Sequence, residues 1–340
     1  IAAVSVVILL DATRRTIGWS MVVLALIFLA YAFWGNYLWG DIAHRGYGLK
    51  RVLSQVYLGA DGIFGTPLGV SSTFVVLIVI LGALLESTGA SKVLMDIAVS
   101  LTGRSRGGPA KAAVVGSSLM GMISGTAVAN VLTTGTISIP LMKRGGYKPR
   151  VAAAIEAVAS TGGQLMPPIM GAAAFIMADI IETPYTDIAK AAIIPAILFY
   201  VAVFAAVHLE AVKNGLQPMK EHELPSAKAA LIEGGHVLIA IPSFIGFLMN
   251  GYSVMYSSLW SIVILVLLSC LKPSTWLVPS KVISTSKAAA QAVLPVAMAT
   301  ATAGIIIAVV TLTGVGLKFS SLIVTLSGGS LLVVLVLTMA

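Results

Sequence analysis

"GMISGTAVANVLTTGTISIP", residues 121–140, is rich in Gly, Ser, Thr and Asn and carries no charge. It lies inside a longer uncharged run, 112–142, with Arg104, Arg106 and Lys111 before it and Lys143, Arg144, Lys148 and Arg150 after it. Short basic segments beside apolar runs mark the cytoplasmic side of a membrane, which places both flanks on that side. One straight helix over 112–142 would be about 46 Å long, against a hydrocarbon core of about 30 Å. Two legs of about 14 residues each reach roughly the midplane and return. The stretch therefore predicts a re-entrant helical hairpin with its tip at Ser124-Gly125-Thr126. A single tilted span with basic flanks at both ends is the alternative.

Composition sets the same environment. Of 340 residues, 58% are hydrophobic and 10% charged, where soluble domains carry about 25% charged residues. Further uncharged runs cover 62–85, 157–178, 237–271, 288–317 and 319–340, and about 20 apolar residues span a bilayer. The expected class is an all-α polytopic, multi-pass membrane protein, with lipid as its surroundings. The net charge of +8 sits in short loops and not on a solvated face, so nucleic acid is not an expected partner. Cys270 is the one cysteine, which excludes an internal disulfide and reads as a small buried hydrophobe.

Along the chain, 1–10 reads as the end of a span and 17–35 as a second, closing in the aromatic cluster Tyr31, Phe33, Trp34, Tyr37 and Trp39, a composition found at membrane interfaces. The segment from His44 to about Phe64 reads as interfacial. Span 67–85 and an amphipathic piece at 91–103 lead into the hairpin. The following span, 151–178, is broken by "STGGQLMPP", 160–168. There Pro167 and Pro168 remove donors, and Gly162-Gly163 loosens the backbone. Acidic residues Asp179, Glu182 and Asp187 suit the outer side. Residues 191–207 return, a pair of spans turns at Asn250-Gly251, Lys272, Lys281 and Lys287 mark an inner segment, and 288–311 crosses outward. Ile1 already stands in apolar sequence and the last run reaches Ala340, so both ends are expected to be cut from a longer chain.

"STGASKVLMDIAVSLTG" (87–103) and "LTGVGLKFSSLIVTLSG" (312–328) share Thr-Gly openings and Gly closes, 225 residues apart. With five crossings between them the second copy is inverted, and its following segment, 329–336, lacks the positive residues of 104–111. Inverted repeats with broken helices are characteristic of secondary transporters. On this reading the chain stops inside its second repeat, before a partner hairpin near position 349.

Non-helical backbone at membrane depth is tolerated where it lines a polar cavity or coordinates a ligand. The hairpin tip and the 160–168 break are two such places. Ser124, Thr126, Asn130, Thr161 and Gln164 offer side-chain oxygens, and Gly125, Gly162 and Gly163 allow close approach. A Na⁺ ion there would be held by neutral oxygens, an anion by helix N-terminal N–H groups. Duller readings stand beside these. Gly121 and Gly125 form a GxxxG pair suited to helix packing, and Ser or Thr in spans commonly bond their own backbone. Glu156, an intramembrane carboxylate, is either functional or within reach of headgroups. His44, His208, His222 and His236 fall in loops or at span ends, Ser124 has no evident membrane-depth base, "GVG" at 314–316 lacks a dinucleotide context, and no metal-ligand spacing exists. Enzyme readings fare poorly; no cofactor is expected beyond Na⁺ as coupling ion.

"GMISGTAVANVLTTGTISIPLMKRGGYKP", "EAVASTGGQLMPPIMGAAAFIMAD", "AHRGYGLKRVLSQVYLGADGIFGTPLGVS" and "VVTLTGVGLKFSS" closely resemble the large membrane subunit of tripartite ATP-independent periplasmic (TRAP) transporters, in the TAXI type with fused small and large subunits. The resemblance covers nearly the whole chain. It implies an inverted-repeat, elevator-type secondary transporter with re-entrant hairpins, importing a small organic acid with Na⁺ or H⁺ and taking it from a periplasmic TAXI-type substrate-binding protein. It implies that 1–40 is the end of the small-subunit-like helices and 41–340 the large subunit. Within the latter, scaffold and arm segments would be about 41–86 and 189–288, and transport-domain elements about 87–188 and 289–340. The first hairpin tip then falls on Ser124, Gly125, Thr126 and Asn130, and the broken helix on Thr161, Gly162, Gly163, Gln164, Pro167 and Pro168. Ser124, Thr126, Thr161 and Gly162 become the Na⁺ candidates. The family's second hairpin would follow Ala340, so the fragment alone is not expected to transport. The alternatives are a two-component dicarboxylate/sodium symporter of similar plan, a passive channel, or an intramembrane hydrolase.

Overall fold

The computed structural model describes residues 1–339 apart from the Asp41 side chain, and among the described residues every regular element is helical. The first helices are α1 (Ala2–Thr16), α2 (Trp19–Trp34), α3 (Leu49–Leu58) and α4 (Thr66–Val70). A π turn at Ser71–Val75 joins α4 to α5 (Val76–Ser87), and α6 (Ala90–Thr102) follows. Then come α7 (Gly108–Ser124), α8 (Ala127–Arg144), α9 (Pro149–Gly162), α10 (Ala172–Ile180) and α11 (Tyr185–Lys213). The chain closes with α12 (Ala227–Gly234), α13 (Ala240–Met249), α14 (Val254–Ser269), α15 (Pro279–Thr313), α16 (Val315–Leu326) and α17 (Leu331–Met339). Among the described residues, five helical segments are long and apolar enough to cross a membrane: Trp19–Tyr37, Thr66–Ser87, Tyr185–Lys213, Glu221–Met249 and Pro279–Thr313. The protein is a multi-pass, all-helical membrane protein.

Two compact units are present, residues 1–72 with 294–340, and residues 73–293. In the first, Val6, Val52, Val56, Ile305 and Val309 share a core. The hydroxyls of Thr13 and Thr302, both fully buried, meet at 2.7 Å. A Cβ on Gly304 would stand 2.2 Å from the Gly62 carbonyl oxygen, so only glycine allows that approach. The interfacial segment foreseen after His44 is α3, whose Val52 and Val56 face this core. Gly314 adopts a left-handed conformation (φ +68°) and opens α16, just as Gly89 (φ +91°) opens α6 in the second unit. The "GVG" of 314–316 is thus a helix break.

The second unit is organised around α7, α8 and α9, which pack on one another, with α7 and α9 also packing on α11. The chain reverses at Gly125, left-handed at φ +62°, and Thr126 starts α8 with its hydroxyl accepting from the Ala129 N–H at 3.3 Å. A single tilted span over 112–142 is excluded. The legs have 17 and 18 residues, not 14, because the helices continue through their basic flanks. At 1.5 Å per residue they are about 26 Å long. Lys111, read from sequence as a solvated flank, is instead buried at 5% exposure on the second turn of α7, its ammonium 5.2 Å from the centre of the Phe204 ring. The same extension affects α11 and α15, which have 29 and 35 residues. The turn between α13 and α14 falls at Asn250-Gly251, with Gly251 at φ +81°. Cys270 is exposed, contrary to the buried reading.

Candidate functional site

The break after α9 begins where Gly162 and Gly163 meet their neighbours on different sides. A Cβ on Gly163 would lie 2.5 Å from the Gly121 Cα, and one on Gly121 would lie 2.5 Å from the Gly163 Cα. Two backbones therefore touch where α7 nears its end. Gly162 faces α11, where a Cβ would fall 2.2 Å from the Phe199 ring. A 3₁₀ turn at Gly163–Leu165 follows, then extended chain containing a cis Pro167-Pro168 bond, and α10 starts after Gly171. The Gly171 N–H donates to the Gln164 carbonyl at 2.8 Å, and the Tyr185 hydroxyl donates to the Pro168 carbonyl at 2.9 Å. These bonds satisfy part of the backbone that the break exposes.

The hairpin tip docks onto this irregular stretch. A Cβ on Gly125 would stand 2.6 Å from the Met170 carbonyl oxygen, and one on Gly171 would stand 3.4 Å from the Gly125 oxygen. Four helix ends converge here. The C-termini of α7 and α9 bring carbonyls, and the N-termini of α8 and α10 bring N–H groups. Carbonyl ends suit a cation and N–H ends an anion.

The foreseen site residues separate into three groups. Ser124, Gly125 and Thr126 are half-buried at the tip. Their hydroxyl bonds are long, 3.4 Å from Ser124 to the Thr126 carbonyl and 3.3 Å at the Thr126 cap, so both oxygens are weakly held and available. Gly163, Gln164, Pro167 and Pro168 form the opposing stretch. Thr161 is exposed and its hydroxyl donates back to the Ala157 carbonyl at 2.8 Å, while Gly162 turns to the α11 rings. Asn130 lies deeper, fully buried, its amide donating to the Ser117 carbonyl at 2.9 Å across the hairpin.

Beneath the tip is a group that residue-by-residue reading leaves unassembled. Glu156 is fully buried among α7, α8 and α9. Its Oε1 accepts from Ser117 at 2.8 Å, from Ser160 at 3.0 Å and from Thr134, and its Oε2 accepts from Ser138. All four hydroxyl residues are at most 1% exposed. The signal is present as spacing: Asn130, Thr134 and Ser138 recur every four residues along one helix face, as do Glu156 and Ser160. On the α11 side of α7 lies a cavity of about 580 Å³, bordered by Lys111, Ser118, Met166, Tyr200, Phe204 and His208.

A family model for the DctM component of tripartite ATP-independent periplasmic transporters matches residues 4–340. The chain belongs to this family. Among curated relatives, the C4-dicarboxylate TRAP transporter large permease protein DctM of Pseudomonas aeruginosa is 31% identical over 154 residues, which is 44% of this chain and 36% of that protein. Its namesake in Vibrio cholerae is 34% identical over 84 residues, 25% of this chain and 18% of that one. An uncharacterized protein, y4mL, of Sinorhizobium fredii is 28% identical over 162 residues, 47% of this chain and 38% of its own. This DctM-family chain thus spans well under two thirds of the curated relatives it matches. Membership agrees with the multi-pass helical fold and with the family resemblance carried by the hairpin and broken-helix motifs.

Proposed function

We propose that this chain is the large-permease region of a TAXI-type TRAP transporter, importing a small organic acid into a bacterial cell across the cytoplasmic membrane by an elevator mechanism. Import is coupled to a cation, Na⁺ or H⁺, and the substrate arrives on a periplasmic TAXI-type binding protein. One observation carries the reading: a helical hairpin meets a broken helix tip to flank, leaving carbonyl ends and N–H ends side by side without a charged side chain at the tip. Ser124 and Thr126 supply loosely held hydroxyls for Na⁺; Thr161 and Gly162, the other two candidates, would have to turn from Ala157 and from the α11 rings to add oxygens. The N-termini of α8 and α10 face the substrate carboxylate. The matched left-handed glycines before α6 and α16 support the inverted repeat.

The test is uptake by the complete permease reconstituted in vesicles, with and without its binding protein and with and without a Na⁺ or pH gradient. Accumulation above equilibrium is expected only with both the binding protein and a cation gradient. Uptake that persists without the binding protein removes the tripartite reading, and uptake that never exceeds equilibrium makes the protein a channel.

A further inference from the structure

Glu156 and its four hydroxyls are more than a well-solvated buried charge. Among the described residues no Lys, Arg or His lies within ion-pair distance of this carboxylate. Placing a carboxylate in a low-dielectric interior is expensive unless it is paired, fully hydrogen-bonded or neutralised. The hydroxyls also touch other oxygens. Ser117 Oγ is 3.1 Å from Thr134 Oγ1, and Thr134 Oγ1 is 2.7 Å from the Asn130 carbonyl oxygen. With the four contacts to Glu156 that makes six oxygen–oxygen approaches of 3.1 Å or less. Each hydrogen-bonded approach uses one hydrogen, and the hydroxyls of Ser117, Thr134, Ser138 and Ser160 bring four.

A proton on the carboxyl supplies a fifth, so that only the 3.1 Å Ser117–Thr134 approach has no hydrogen of its own. Thr134 is where the two charge states differ. Its single hydrogen points either to Glu156 or to the Asn130 carbonyl. When the carboxyl is protonated it donates to Thr134 Oγ1, and Thr134 donates to Asn130; when it is charged, Thr134 turns its hydrogen back to Glu156. The closed cage therefore accommodates an added proton by rotating one hydroxyl. Its position relays that change in both directions. Asn130 ties the two hairpin legs together one turn from the tip, and Ser160 lies in the last turn of α9, just before the break that starts at Gly163.

We infer that Glu156 is a proton-binding site of the transport cycle, loaded within the closed cage and discharged when the hairpin and the broken helix part and admit water. The loading step moves one proton from water onto the carboxylate. The inference rests on the reading of the chain as a cation-coupled permease, and it assigns a residue to H⁺ that is separate from the tip oxygens. Titratable or charged neighbours are few. On α11 stands Tyr200, whose hydroxyl donates to the Ala159 carbonyl at 2.9 Å. Lys111 stands on α7 over the Phe204 ring. On α8, Lys143 and Arg144 are exposed at the far end, and the 3₁₀ turn of the break carries none.

The experiment is infrared difference spectroscopy of the complete permease in lipid nanodiscs, comparing mildly acidic with mildly alkaline pH. A protonated-carboxyl carbonyl band that appears on acidification, is missing from Glu156→Gln and survives in Tyr200→Phe is the expected result. Identical difference spectra for wild type and Glu156→Gln overturn the assignment, as does a Glu156 band that responds to added Na⁺ but not to pH. Should the Gln variant aggregate, Glu156→Asp replaces it: a displaced band supports the site, and an unchanged spectrum overturns it. In vesicles containing a trapped pH-sensitive dye, with succinate as probe, Glu156→Gln is expected to lose succinate accumulation driven by a pH gradient. Absence of succinate uptake by the wild type bears on the permease reading, and the infrared result stands independently of it.

Discussion

At the scale of single residues, glycines divide into those that hold the site and those that merely occupy a helix. Gly163 belongs to the first kind, because the atom its Cβ would strike is the Gly121 Cα, and backbone cannot rotate aside. Gly163→Ala is therefore expected to act as overpacking, which costs about 1–3 kcal/mol. It should lower the thermal midpoint of the purified permease and reduce uptake by forcing α7 from the break. Gly246, within α13, has no positive φ, and a methyl group added there would meet no atom within 4 Å. Gly246→Ala should leave uptake intact and raise the midpoint slightly, since alanine gains about 0.5–1 kcal/mol over glycine inside a helix. Equal effects from the two substitutions, measured by differential scanning fluorimetry, would show that the Gly121–Gly163 contact is unimportant. Much at this scale is legible in the sequence. Gly125 lands where the chain reverses, and Pro167-Pro168 lands in the extended stretch, because such residues dictate local backbone whatever surrounds them. Glu156 stands out in the sequence as an intramembrane carboxylate with Ser160 one turn on, but only folding brings Ser117, Thr134 and Ser138 to it from two other helices. Lys111 misleads for a related reason: a charge next to an apolar run looks solvated until α11 places an aromatic ring over it.

Helices and their ends carry the next level of the argument. The tip needs a tight reversal, and it is built from a left-handed glycine followed by a threonine cap, so Thr126 has a stabilising role and a proposed ion-binding one. The two roles predict different responses. As a cap, Thr126→Ala costs about 1 kcal/mol, at the lower end here because the bond to the Ala129 N–H is 3.3 Å long. As a Na⁺ ligand, the same change raises the Na⁺ concentration needed for half-maximal uptake, while Thr126→Ser, which keeps the oxygen, restores it. A Thr126→Ala permease with lowered stability but unaltered Na⁺ dependence would leave threonine as a cap alone. Helix existence is legible from hydropathy, and helix length is not. Hydropathy ends a segment at its first charge, whereas backbone hydrogen bonding continues as long as the side chain finds an environment. That is why α7 takes in Lys111 and α15 takes in Lys281 and Lys287.

For the whole molecule, the decisive question is how deep the hairpin reaches, because legs of 17 and 18 residues approach the thickness of the hydrocarbon core. Both a re-entrant hairpin and a pair of full crossings put its two open ends on the same side, so the ends fix orientation and the tip fixes depth. Single cysteines at Arg104, Lys143 and Val128 separate the possibilities in a background in which Cys270, an exposed thiol, and any further native cysteine of the complete permease are replaced by serine. Arg104 and Lys143 are exposed at the open ends, and Val128, 73% exposed, stands in the first turn after the tip. Membrane-impermeant maleimide is expected to label positions 104 and 143 only from the cytoplasmic face, as the basic flanks require. Position 128 is expected to resist the reagent from outside when the permease rests, and to become reactive during turnover with binding protein and cation gradient. Constitutive labelling of position 128 from the periplasmic face would make α7 and α8 ordinary crossings. The convergence of four helix ends would then lie at the membrane surface, where water already satisfies every backbone group. The physical reason for reading it as a site, irregular backbone held away from water, would be lost.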